Sequence, residues 1–191
     1  MPMRKRKMIY FYPVILMLII MLILILIIIS NFSDPNIITP KRDGYFYVGA
    51  DYEKIRLINN PNATNPTHDE LINFIKMDKT DEIEYIEEVY TCGDYAETLH
   101  NNAEEAGIKA AWVSVDFYDD NESHALNAFE TTDEGLVYVD CTMYDKLINS
   151  LNIGEKYQPL SLDNSIVASE NDYYIETYAP MGTISNVEIY W

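Results

Sequence analysis

Apolar residues follow three different patterns along this chain. From Met8 to Ile29 no side chain is charged, and from Val14 onward every residue to Ile29 is Val, Ile, Leu or Met. A run that is apolar on all sides and 22 residues long would rise about 33 Å as a helix, against a hydrocarbon core of about 30 Å. It predicts a transmembrane helix over residues 8–29. Pro13 lies near its start, where proline is tolerated, and Tyr10 and Tyr12 fit an interfacial belt.

The second pattern is helical spacing. Thr67-His68-Asp69-Glu70 reads as a capping box, followed by Leu71, Phe74 and Ile75 on one stripe. This predicts a helix to about Asp78, after a tether over 30–43, one strand within 44–57 and a loop over 58–66. Residues 79–90 are expected to form a loop or a short helix. A second capping signal, Thr91-Cys92-Gly93-Asp94, opens the clearest helix. Cys92, Tyr95, Ala96, Leu99, Ala103 and Ala106 share one face, and Gly107 stops it.

The third pattern is strand-like. Ile108–Tyr118, His124–Phe129 and Leu136–Thr142 predict three strands, the last two joined as a hairpin through Glu130–Glu134 and Gly135. Met143–Leu151 is expected to be helical and to end at Asn152 and Gly154. Tyr173–Tyr178 and Ile184–Trp191 predict closing strands. The order gives an α+β fold over 44–191, with the Cys92 helix packed on an antiparallel sheet.

Charge divides the chain unevenly. Four of its 13 basic residues are Arg4–Lys7, leaving nine against 31 acids, a net charge of −22 beyond residue 7. So acidic a domain repels phosphate backbones, which excludes nucleic acid as a partner. The basic cluster predicts a cytoplasmic segment over 1–7 and an extracytoplasmic C-terminal domain, that is, a single-pass protein of the cell membrane. The alternative of a cleaved signal peptide fits less well, because Ile29-Ser30-Asn31-Phe32 lacks a small-x-small exit. Asn31-Phe32-Ser33, Asn62-Ala63-Thr64 and Asn121-Glu122-Ser123 match the N-glycosylation pattern.

Within this frame one set of residues points to chemistry. Cys92 falls in the first turn of a helix, where unpaired N–H groups and the helix dipole favour a thiolate. Of the three histidines, His68 belongs to a cap and His100 lies eight residues along the same helix, about 12 Å from Cys92. His124 opens a strand beside a polar loop. Asp140 stands in an otherwise apolar strand, where an acid needs a partner. A hairpin centred on Thr132 would put His124 directly opposite Asp140, with Cβ atoms about 5 Å apart. A carboxylate that steadies an imidazole, which in turn serves a thiol, is nucleophile–base–orienter logic. If Asp140 faces the site, Cys141 points to the other face. That argues against a Cys92–Cys141 disulfide, the usual alternative outside the cytoplasm.

The segments Thr91-Cys92-Gly93-Asp94-Tyr95-Ala96, Ala106-Gly107-Ile108-Lys109-Ala110, His124-Ala125-Leu126-Asn127-Ala128-Phe129 and Val137-Tyr138-Val139-Asp140 together resemble the transglutaminase-like superfamily, of papain-like fold. The resemblance covers roughly residues 70–142 and is to small prokaryotic members. It implies that Cys92, His124 and Asp140 form a catalytic triad without cofactor or metal. The cysteine would attack an amide carbonyl to give a thioester that water or an amine resolves. It also implies protein or peptide substrates at the cell surface, and an oxyanion hole using the Cys92 N–H and one further donor. The family's frequent Trp near the histidine and Pro-Thr after the aspartate are replaced here by Leu126-Asn127, Tyr138 and Cys141-Thr142, so its substrate preference does not transfer.

Two other functions are compatible with the sequence. One is an inactive transglutaminase-like module for binding or adhesion, which the 16 tyrosines would suit. The other is calcium binding by Asp116, Asp119, Asp120 and Glu122.

Overall fold

The structure, a computed structural model, describes residues 11–30, 34–118, 123–162 and 181–191; side chains at 11–12, 26–30 and 161 are not described. The chain divides into two units, Met1–Pro35 and Asn36–Trp191.

The first unit contains helix α1, Phe11–Ser30. Among the described residues no helix is long and apolar enough to cross a membrane. This corrects the expected transmembrane helix over 8–29. The described helix begins at Phe11 rather than Met8 and runs to Ser30.

The second unit, Asn36–Trp191, is α+β. Its first part forms short paired strands: β1 (Ile37–Ile38) with β4 (Leu57–Ile58), and β2 (Lys41–Arg42) with β3 (Tyr45–Phe46). Helix α2, His68–Met77, starts where the capping box places it. Glu70 accepts from the Thr67 N–H at 2.8 Å, and Thr67 Oγ1 accepts from the Glu70 N–H at 3.2 Å. Only a single 3-10 turn, Thr80–Glu82, forms in the mixed segment that follows. Helix α3, Cys92–Glu105, buries Tyr95, Ala96, Leu99 and Ala103 as the spacing requires. It also buries Glu104, whose carboxylate accepts from the Asn60 and Ala110 N–H groups, both at 2.8 Å. Gly107 ends the helix with φ +82°, a conformation in which Cβ would be strained.

Six strands form one antiparallel sheet: β5 (Ala111–Phe117), β6 (Ser123–Thr131), β7 (Gly135–Asp140), β8 (Lys146–Ile148), β9 (Pro159–Ser161) and β10 (Ile184–Tyr190), in the order β10-β5-β6-β7-β8-β9. One face packs Val113, Val115, Leu126, Ala128 and Ile148 against Tyr157. The other receives the helices: Phe129 and Val139 meet Leu71 and Ile75 of α2 and Tyr95, Leu99 and Ala103 of α3.

Three expectations about this sheet meet the structure differently. Met143–Leu151 is not a helix. Its apolar spacing suits a helix, but Lys146–Ile148 is taken up by pairing with both β7 and β9, and Met143 has φ +67°. The β6–β7 hairpin pairs Thr131 with Gly135, so it is centred on Asp133, not Thr132. The tighter turn follows from Gly135, which at φ +79° closes a three-residue loop. Finally, Tyr173–Tyr178 lies outside the described residues, whereas β10 forms where a closing strand was expected.

Candidate active site

Cys92 is the first residue of α3, and the turn that presents it is tied down from several sides. Asp94 Oδ2 accepts from the Thr91 N–H at 2.8 Å and from the Ala50 N–H at 3.1 Å. The loop that supplies Ala50 comes so near that a Cβ on Gly49 would lie 2.1 Å from Asp94 Oδ1. On the next residue of the turn, the Gly93 carbonyl accepts from Trp112 Nε1 at 3.4 Å. Trp112 and Ala125 then form the apolar bed on which the half-buried Cys92 rests.

Two effects compete at the thiol. Burial pushes it up, while a hydrogen bond from His124, the charge of His124 and the Ala125 N–H pull it down. The downward effects win, so the thiol lies below its ordinary value. The backbone N–H of a first-turn residue has no intrahelical acceptor, which makes that of Cys92 a candidate donor to an oxyanion.

His124 stands near the start of β6 and is buried. Its Nε2 lies 3.0 Å from Asp140 Oδ2, which leaves Nδ1 as the nitrogen available to the sulfur. The two residues are diagonal rather than directly opposite, because the ladder shifts every β7 partner by two positions from the expected register. A shift of two preserves the face, whereas a shift of one would have sent Asp140 to the other side of the sheet. Diagonal neighbours stand about 7–8 Å apart at Cα, within reach of an imidazole and a carboxylate.

Asp140 is 2% exposed. Its Oδ2 accepts from Tyr157 Oη at 2.8 Å and lies 3.3 Å from Lys146 Nζ, and its Oδ1 accepts from the Thr142 N–H at 2.9 Å. Burial opposes its ionisation, but the charge and hydrogen bond of His124, with Lys146 and the Thr142 N–H, hold it well below the usual carboxylate range. Burial likewise opposes the imidazolium of His124; the Asp140 charge and hydrogen bond, and then Cys92, override it and raise the group to about 10. Cys92, His124 and Asp140 are thus brought together as thiol, imidazole and carboxylate, with the pull between them favouring ionisation of the thiol. The Tyr157 ring closes the far side, edge-on to His124 at 5.4 Å.

Sequence reasoning missed Lys146 and Tyr157. A lysine two residues before Ile148, and so on the same buried face of a strand, was a signal, but it was obscured by reading the segment as a helix. For Tyr157, remote from any motif, no signal existed.

The remaining candidates lie elsewhere. Cys141 is buried with its Sγ 3.7 Å from the Tyr95 carbonyl, and both cysteines are free. His68 sits in the cap of α2, and His100 is fully buried in α3. Asp116 is engaged by Arg42 and Asn186, while Asp119, Asp120 and Glu122 lie outside the described residues. Among the described residues no group of three or more His, Cys, Asp or Glu side chains is placed to hold a metal ion. Asn62 is exposed in a turn; Asn31 and Asn121 lie outside the described residues.

Comparison of the chain with protein-family models, with curated proteins and with solved structures finds no match.

Proposed function

We propose that this protein is a cysteine hydrolase or acyl transferase of the transglutaminase-like kind, acting on amide bonds of proteins or peptides. The observation that carries this reading is the row Cys92–His124–Asp140, in which the buried carboxylate at 3.0 Å holds one imidazole nitrogen and leaves the other for a thiol at a helix start. A core cysteine needs no such partners, and a surface histidine would not be buried against an acid.

The chemistry follows from the protonation states. The Cys92 thiolate attacks the amide carbonyl carbon, and negative charge collects on the carbonyl oxygen near the Cys92 N–H. As the C–N bond breaks, the His124 imidazolium gives its proton to the departing amine. The product is a thioester on Cys92 and a neutral imidazole. Water, losing a proton to His124, then attacks the thioester; the acid leaves and the thiol is regenerated. A primary amine in place of water gives a new amide. Asp140 stays ionised throughout and orients the ring.

The test is to trap the thioester. The protein is incubated with a peptide library and quenched in acid, and its intact mass is measured. A covalent adduct on Cys92, released by hydroxylamine and absent from Cys92→Ala, is expected. An amidase or transferase activity that survives in Cys92→Ala would overturn the reading.

A further inference from the structure

The three reacting groups do not account for Lys146. It is 7% exposed, and lysine is rarely buried without a task. In the β7–β8 ladder its Cα partner is Asp140 itself. Its Nζ lies 3.3 Å from Asp140 Oδ2, the same oxygen that His124 Nε2 approaches at 3.0 Å, and donates to the Thr142 carbonyl at 2.7 Å, so the ammonium is fixed against the carboxylate.

We propose that Lys146 is a positioning residue of this site, a buried fixed cation that balances Asp140 and so limits how tightly the carboxylate holds the proton of His124. The inference rests on the Cys92–His124–Asp140 reading. With Lys146 included, the charges alternate along the row: thiolate, imidazolium, carboxylate, ammonium. They sum to zero, so the reactive ion pair forms in a buried place without net charge. Asp140 alone, facing His124 without a second cation, would stabilise the imidazolium more strongly, and an acid too weak to part with its proton is a poor donor to a leaving amine. The ionisable groups around Lys146 include, among the described residues, Tyr157, which shares Asp140 Oδ2; Cys141, a buried thiol pushed well up; and Asp145, its chain neighbour, which is acted on by Lys146 as well as by Asp78 and Asp81. Asp145 does not touch the carboxylate–imidazole contact itself, which Lys146 reaches through Asp140 Oδ2.

The experiment follows carboxamidomethylation of Cys92 by iodoacetamide across pH, with site mapping, in Lys146→Met and Lys146→Arg. Removing a positive charge at this distance should move the upper limb of the profile, where His124 loses its proton, upward by about one pH unit. Lys146→Arg, which keeps the charge, should restore the native profile. If folded Lys146→Met shows both limbs at their native positions, or if Lys146→Arg moves them as far, the proposal fails. Should Lys146→Met not fold, Lys146→Gln, which keeps a donor toward Thr142, is read in the same way. Failure of both to fold beside a folded Lys146→Arg assigns Lys146 a purely structural role and overturns the proposal. If instead the native protein shows one ordinary thiol ionisation and no imidazolium limb, the triad reading itself fails, whatever Lys146 does.

Discussion

Two thiols in the same domain show what surroundings do to one functional group. Burial, and then the charges of Asp140, Asp145 and Asp78, drive the ionisation of Cys141 well above the ordinary value. Burial opposes ionisation of Cys92 too, yet the neighbouring His124 and the Ala125 N–H bring it below that value. Position in the chain does not separate the two; the partner does. Asp145 offers a further test at this scale. Burial, followed by the charges of Asp81 and Asp78, raises it from 3.8 to about 7. Since the fold disfavours its charged form, the cost to stability appears as pH rises above 3.8 and is complete only above about 7. Asp145→Asn should therefore raise the melting temperature at pH 8 and leave it nearly unchanged at pH 4, as thermal unfolding at the two pH values would show.

Among the elements, α3 was the most legible. Its cap, its apolar stripe and its stop at Gly107 are all local signals, written within one stretch of chain. The Asp94 carboxylate does more than the sequence revealed, because it also receives the Ala50 N–H from a distant loop. That second bond requires a close approach of backbone at Gly49, and a Cβ there would meet Asp94 Oδ1 at 2.1 Å. Gly49→Ala should displace the carboxylate and cost about 1–2 kcal/mol, the usual worth of a helix cap, measurable by urea unfolding. The β6 and β7 strands were legible from their alternation, and so was the face shared by His124 and Asp140. Their register was not, because Gly135 sets the turn and a two-residue shift leaves the apolar pattern unchanged. The β8 strand was illegible for another reason. It is three residues long, and only its neighbours β7 and β9 give it strand geometry.

At the scale of the whole second unit, the sheet order explains how residues distant in sequence meet. His124, Asp140 and Lys146 come from the consecutive strands β6, β7 and β8, and Tyr157 joins them from the connection to β9. Cys92 arrives from the opposite, helical side. Its bed is Ala125 and Trp112, so it engages His124 where β6 begins. Cysteine, histidine and aspartate were legible as candidates because each residue type stood where its chemistry required explanation. The long apolar run near the N-terminus was an equally strong signal of composition, but among the described residues no helix is long and apolar enough to cross a membrane. A surrounding net charge of −22 beyond residue 7 makes internal neutrality valuable at the site, since every buried anion there adds to an unfavourable field.

The most direct measurement is the rate at which iodoacetamide modifies each cysteine of the folded protein at pH 6, mapped by mass spectrometry in the native chain and in His124→Ala. The account predicts that Cys92 is modified and Cys141 is not, and that loss of His124 slows modification of Cys92 at least about tenfold, the consequence of removing its stabilising cation. Modification of Cys92 no faster than a cysteine of the unfolded chain, or at a rate indifferent to His124, would contradict it.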